Sequence, residues 1–150
     1  MKQRTVFLGF FLLACLLSGH LFSQESITLT FPDGVTTPVN LKVVANGDWS
    51  IEGTNEEAVN DGRKHSYTLK KNTLTIKGEV VDLDCANNGV LSLDLSKSTK
   101  LKKLFCHQNK LSSLNLSTVT ELKQLNCFQN ELRTFQCQVQ HSYKCRKKTS

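Results

Sequence analysis

Three groupings of side chains have the residue types for chemistry, and their spacing argues against each. Cys137-x3-His141-x3-Cys145 sets three zinc-type ligands four residues apart. A structural zinc site takes four ligands and commonly a close cysteine pair, so this trio falls short of one. Cys106 stands beside His107, the residue types of an activated thiol nucleophile. If the two lie on a strand, consecutive side chains point to opposite faces, which keeps thiol and imidazole apart. Asp82 and Asp84 sit two residues apart and share a strand face, where two carboxylates attract a cation weakly. The plainer reading is a solvated acidic edge. Neither a glycine-rich phosphate loop nor a Ser/His/Asp arrangement stands out. The expectation is a protein that is not an enzyme, with no catalytic residues, no metal and no cofactor.

The elements that position these residues follow a 21-residue period. Cys85, Cys106 and Cys127 are spaced by it, and so are Leu83, Leu104 and Leu125 two residues earlier and Asn88, Asn109 and Asn130 three residues later. Val90, Leu111 and Leu132 extend the pattern, as do Leu93, Leu114 and Phe135. The units are 80–100, 101–121 and 122–142, written L-x-x-L-x-C-x-x-N-x-L-x-x-L-x-L-S-x-x-T-x. Repeats of this length predict a β-rich leucine-rich-repeat solenoid with parallel strands on a concave face, each unit burying its apolar residues against its neighbours. Leu104 and Cys106 point inward in this register, and Phe105 outward. Cys85, Cys106 and Cys127 form an inward column of small hydrophobes, read as free buried thiols although exported chains favour disulfides. Asn88, Asn109 and Asn130 form a ladder whose amides satisfy backbone groups at a turn.

The segment Leu104-x-Cys106-x-x-Asn109-x-Leu111-x-x-Leu114-x-Leu116-Ser117-x-x-Thr120 resembles the cysteine-containing leucine-rich-repeat surface proteins of bacteria, the internalin J-like group. Leu74-Thr-Ile76-Lys-Gly78 leading into Leu83-x-Cys85-x-x-Asn88 is also similar to such proteins. The likeness covers about residues 66–135. It implies a secreted or cell-surface protein that adheres to host or neighbouring cells through its strand face. The residues assigned to that face are Asp82 and Asp84, then Lys103, Phe105 and His107, then Gln124, Asn126 and Phe128. Phe105 and Phe128 are expected to be exposed there, either as interface anchors or as cover for neighbouring surface.

The first half of the chain is patterned differently. Residues 1–24 read as a signal peptide: Lys2 and Arg4, then an apolar run from Val6 to Leu17, then polar residues. Leu12-Leu13-Ala14-Cys15 resembles a lipoprotein cleavage box, so a membrane partner is expected only if Cys15 is lipidated. Residues 26–79 form a small β-cap on the array. Ile27-Thr-Leu-Thr-Phe31, Val39 to Val43, Trp49 to Glu52, Tyr67 to Leu69 and Leu74 to Ile76 are its strand candidates. Asn46-Gly47 signals a hairpin between the second and third. Trp49 is the expected core anchor. Without Lys2 and Arg4, 17 Lys+Arg face 13 Asp+Glu, a net of +4. The excess gathers in Arg133, Lys144, Arg146, Lys147 and Lys148. A terminal basic run of this kind is usually just solvated, and no nucleic-acid motif accompanies it. The partner is expected to be a protein or glycan, with no nucleic acid, and the chain a monomer.

The period breaks near the end. Units one and two agree at eight positions along their whole length, whereas units two and three agree at seven, all within the first eleven. Residues 143–150 read as a basic, disordered tail. Two explanations stay open: a divergent cap, with Cys137 and Cys145 paired or free, or a truncated, non-functional remnant of a longer repeat adhesin.

Overall fold

The computed structural model describes residues 24–136, with side chains through Thr134. The signal segment, Cys15, Cys137, His141, Cys145 and the 143–150 tail lie outside the described residues. Among the described residues, eleven strands make up the regular structure: β1 (Ser26–Thr30), β2 (Val39–Ala45), β3 (Ser50–Glu52), β4 (Lys64–Tyr67), β5 (Thr73–Lys77), β6 (Val80–Asp84), β7 (Ser92–Lys97), β8 (Lys103–Phe105), β9 (Ser113–Asn115), β10 (Gln124–Asn126) and β11 (Thr134–Gln136).

They form an antiparallel sheet ordered β3-β5-β1-β7, a mixed sheet ordered β10-β8-β6-β2-β4, and a short pair β11-β9. The alternation of β1 buries Ile27 and Leu29, and that of β5 buries Leu74 and Ile76. Leu41 and Val43 of β2 join Leu83, Leu104 and Leu125 from the mixed sheet in the same apolar core. Residues from 26–79 and from 80–136 therefore share one core and both sheets. Each fully buried Leu or Ile contributes about 1.5–3 kcal/mol of hydrophobic stabilisation.

The chain is not the expected leucine-rich-repeat solenoid. It is an all-β protein with one antiparallel and one mixed sheet, and antiparallel pairing accounts for the difference. The parallel strands β6, β8 and β10 are joined at a 21-residue offset, Leu83 beside Leu104 and Leu104 beside Leu125. The same sheet continues antiparallel through β2 and β4. From the first unit, β7 pairs antiparallel with β1, Leu93 opposite Leu29. A row of equivalent parallel coils has no place for these four strands. The 21-residue period sets which residues point inward; the pairing partners come from elsewhere in the chain.

The Asn46-Gly47 hairpin also does not form. β2 belongs to the mixed sheet and β3 to the antiparallel one, so this turn carries the chain between sheets. Gly78 does the same between β5 and β6. Its φ of 135° suits glycine, and a Cβ there would lie 2.8 Å from Trp49 Cβ. The two crossings are tied together by the Asn46 amide, which donates to the Glu79 carbonyl at 2.9 Å. Trp49 packs partly buried against the core, whose largest fully buried side chains are Tyr67 and Phe31.

Candidate functional site

The side chains of β6, β8 and β10 divide between two faces. Inward lie Leu83, Leu104 and Leu125, and beyond the strand ends Cys85, Cys106 and Cys127, all at most 4% exposed. The asparagines hold the turn that follows. Asn109 Oδ1 accepts the backbone amides of Asn88 (3.1 Å) and Val90 (3.0 Å), while its Nδ2 donates to the carbonyls of Cys85 and Cys106, both at 3.0 Å. Asn130 repeats this one unit later, accepting from the Leu111 amide at 3.0 Å and donating to the Cys106 and Cys127 carbonyls. Asn88 instead binds β2, accepting the Asn40 amide at 2.7 Å and donating to the Asn40 carbonyl at 2.9 Å. The residue before each asparagine is left-handed: Asn87, Gln108 and Gln129 have φ of 58°, 55° and 54°. Residue type gives no warning of this at the two glutamines, since positive φ is rare outside glycine and asparagine.

Burial keeps the core thiols protonated. It pushes Cys85 well above the ordinary thiol range and Cys106 up to about 12, so neither supplies a thiolate near neutral pH. Cys85 and Cys106 are free. Cys127 is disulfide-bonded, which corrects the expectation of three free thiols in one column. The repeat register places all three alike, and residue type alone carries no sign of which is oxidised.

Outward, the register produces two cross-strand rows: Asp82 beside Lys103 beside Gln124, and Asp84 beside Phe105 beside Asn126. Beyond the strand ends, His107 and Phe128 stack with ring centroids 4.9 Å apart and planes 10° from parallel. All eight residues predicted for this face belong to those two rows and that stacked pair. Their surroundings differ from expectation in two ways. Phe105 and Phe128 are half-buried, not fully exposed. Asp82, expected as part of a solvated edge, is only 8% exposed, and its Oδ2 receives Lys42 Nζ at 2.8 Å. Asp84 pairs with Lys64 Nζ at 2.9 Å and also accepts the Ala86 amide.

Sequence reasoning missed Lys42 and Lys64, which reach this face from β2 and β4. Alternation in residues 39–45 does turn Lys42 away from the core. Its neighbour in the sheet depends on a pairing 40 residues distant, which no local pattern records.

The face thus has two halves. On the β4-β2-β6 side, Lys42 pairs with Asp82 and Lys64 with Asp84, although Asp82 Oδ1 stays buried without a hydrogen-bond partner. On the β8-β10 side stand an aromatic stack, Phe105, the amides of Gln124 and Asn126, and Lys103, which has no ion-pair partner among the described residues. His107 Nδ1 and Asn126 Oδ1 are buried there without a hydrogen-bond partner. Among the described residues, no group of three or more His, Cys, Asp or Glu is placed to hold a metal ion. No protein-family model, curated protein or solved structure matches this chain.

Proposed function

We propose that this protein is an exported recognition module that binds a protein or glycan through the outer β8-β10 side of its mixed sheet. The observation that carries the reading is the contrast within one face. The charges on one side form the Lys42–Asp82 and Lys64–Asp84 pairs, while the other side presents aromatic rings, the Gln124 and Asn126 amides, and Lys103, which has no ion-pair partner among the described residues. Aromatics with polar neighbours are the side chains most enriched where proteins contact partners. Secretion or display at the cell surface follows from the charged and then apolar N-terminal segment. The Leu-x-Cys-x-x-Asn resemblance to bacterial surface proteins favours the same location.

The test compares the wild-type chain with Phe105→Ala/Phe128→Ala in capture from host and bacterial surface extracts. Partners retained by wild type and lost by the double variant support the reading. Equal capture by both removes the outer face from the function.

A further inference from the structure

We infer that the β8-β10 strip takes an acidic oligosaccharide, one or two pyranose rings of the uronate type. The inference rests on the binding reading above and narrows its ligand class. Three observations lead to it.

The first is size. Adjacent strands lie about 4.8 Å apart and advance about 3.3 Å per residue. The two-stranded strip from Lys103 to His107 and from Gln124 to Phe128 is therefore about 10 Å wide and about 13 Å long. This is several-fold smaller than the roughly 800 Å² each partner gives to a stable protein interface. It matches a short saccharide.

The second is group chemistry. A pyranose presents C–H groups on one face and hydroxyls around its edge. The His107–Phe128 stack and Phe105 supply flat apolar rings for the first. The Gln124 and Asn126 amides, each both donor and acceptor, suit the second. Asn126 Oδ1 and His107 Nδ1, like Asp82 Oδ1 on the adjacent strand, have no hydrogen-bond partner among the described residues. Buried polar atoms left unpaired are costly, so a ligand hydroxyl that reaches them is favoured.

The third is charge. Neither β8 nor β10 carries a carboxylate. The nearest acids, Asp82 and Asp84, are held by Lys42 and Lys64. Lys103 is exposed and remains the strip's one unpaired cation among the described residues. A single cation beside stacking rings is complementary to a sugar carrying one carboxylate per ring, more than to a neutral sugar or to a densely acidic peptide.

The experiment titrates the purified full chain with tri-galacturonate, neutral chitotriose and hexaglutamate, read by calorimetry. Tri-galacturonate is expected to bind saturably and at least tenfold more tightly than the other two. Phe128→Ala should weaken it tenfold or more, and Lys103→Gln fivefold or more. Lys103 is exposed, so its variant reports on binding even if the aromatic variant folds poorly. Absent binding of tri-galacturonate overturns the inference. So does equal binding of chitotriose, equal binding of hexaglutamate, or unchanged affinity in Lys103→Gln. If tri-galacturonate fails while the surface-extract capture still depends on Phe105 and Phe128, only the ligand class is wrong. If that capture is also indifferent to the two aromatics, the binding reading fails with it.

Discussion

The inward and outward faces of β6, β8 and β10 are built from the same short strands and obey different constraints. Inward, position after position repeats: leucine beside leucine, cysteine after cysteine, asparagine above asparagine. The leucines stand beside one another across the strands, and Asn109 and Asn130 each bond backbone groups of the preceding unit, so a side chain that suits one strand suits the next. Outward, neighbours change at every step, from Asp82 to Lys103 to Gln124 and from Asp84 to Phe105 to Asn126. The inward face is repetitive because it contacts itself. The outward face has no such obligation, and its unlike side chains are where a ligand finds specificity.

The largest expected effect separates the two faces by stability. Leu104→Ala empties a fully buried position in the middle of the sheet and should cost about 2–5 kcal/mol in urea unfolding. The adjacent outward change Phe105→Ala, at a half-buried site, should cost under about 1.5 kcal/mol. Similar losses would erase the distinction between faces.

Next is Asn109→Ala. It strands the Asn88 and Val90 amides and the Cys85 carbonyl, while the Cys106 carbonyl keeps its bond from Asn130. A loss of about 1–3 kcal/mol is expected, the usual range when a buried group goes unpaired. Amide hydrogen exchange at Val90 should accelerate in the same variant. Unchanged exchange there would mean the ladder is not what protects the turn.

Within the outward face, the paired and unpaired lysines should differ. Lys42→Ala leaves the carboxylate of Asp82 alone in a largely buried site. Lys42 itself is 30% exposed, so solvent screening reduces the expected cost to about 1 kcal/mol. Lys103→Gln should leave the unfolding midpoint within about 0.5 kcal/mol of wild type. A large destabilisation by Lys103→Gln would show that its charge serves the fold.

The smallest effect is a pH dependence away from both faces. The Thr54 hydroxyl, and then the Thr68 amide, hold Glu56 at about 2 against an ordinary 4.5. A carboxylate lowered by folding stabilises the folded state above its unfolded pKa. That contribution is complete above about pH 4.5 and is lost as the pH falls toward 2. Melting curves between pH 6 and pH 2.5 should therefore shift less in Glu56→Gln than in wild type, and identical profiles would contradict the assignment.

What could be read from the sequence divides along the same faces. The leucine, cysteine and asparagine columns are legible because stacking equivalent residues leaves a period. The outward assignment of the eight face residues follows from alternation about Leu83, Leu104 and Leu125. The sheet topology is not legible. The pairings of β2 with β6 and of β1 with β7 join residues 35 to 71 apart, and no local pattern marks them. Asn46-Gly47 has the chemistry of a tight hairpin, yet tertiary packing sends β2 and β3 to different sheets. For the same reason Asp82 reads as a solvated edge until Lys42 arrives beside it. The solenoid expectation fails here too, because a period describes which side chains face in and says nothing of the strands that flank them.

The most direct test of the outward face as a recognition surface measures folding and binding on one protein, Phe105→Ala/Phe128→Ala. It should still unfold cooperatively, with a loss under about 3 kcal/mol for the two half-buried rings, while under folding conditions tri-galacturonate affinity and capture of surface partners fall tenfold or more. A double variant that binds as well as wild type, or that loses binding only because it unfolds, would contradict the account.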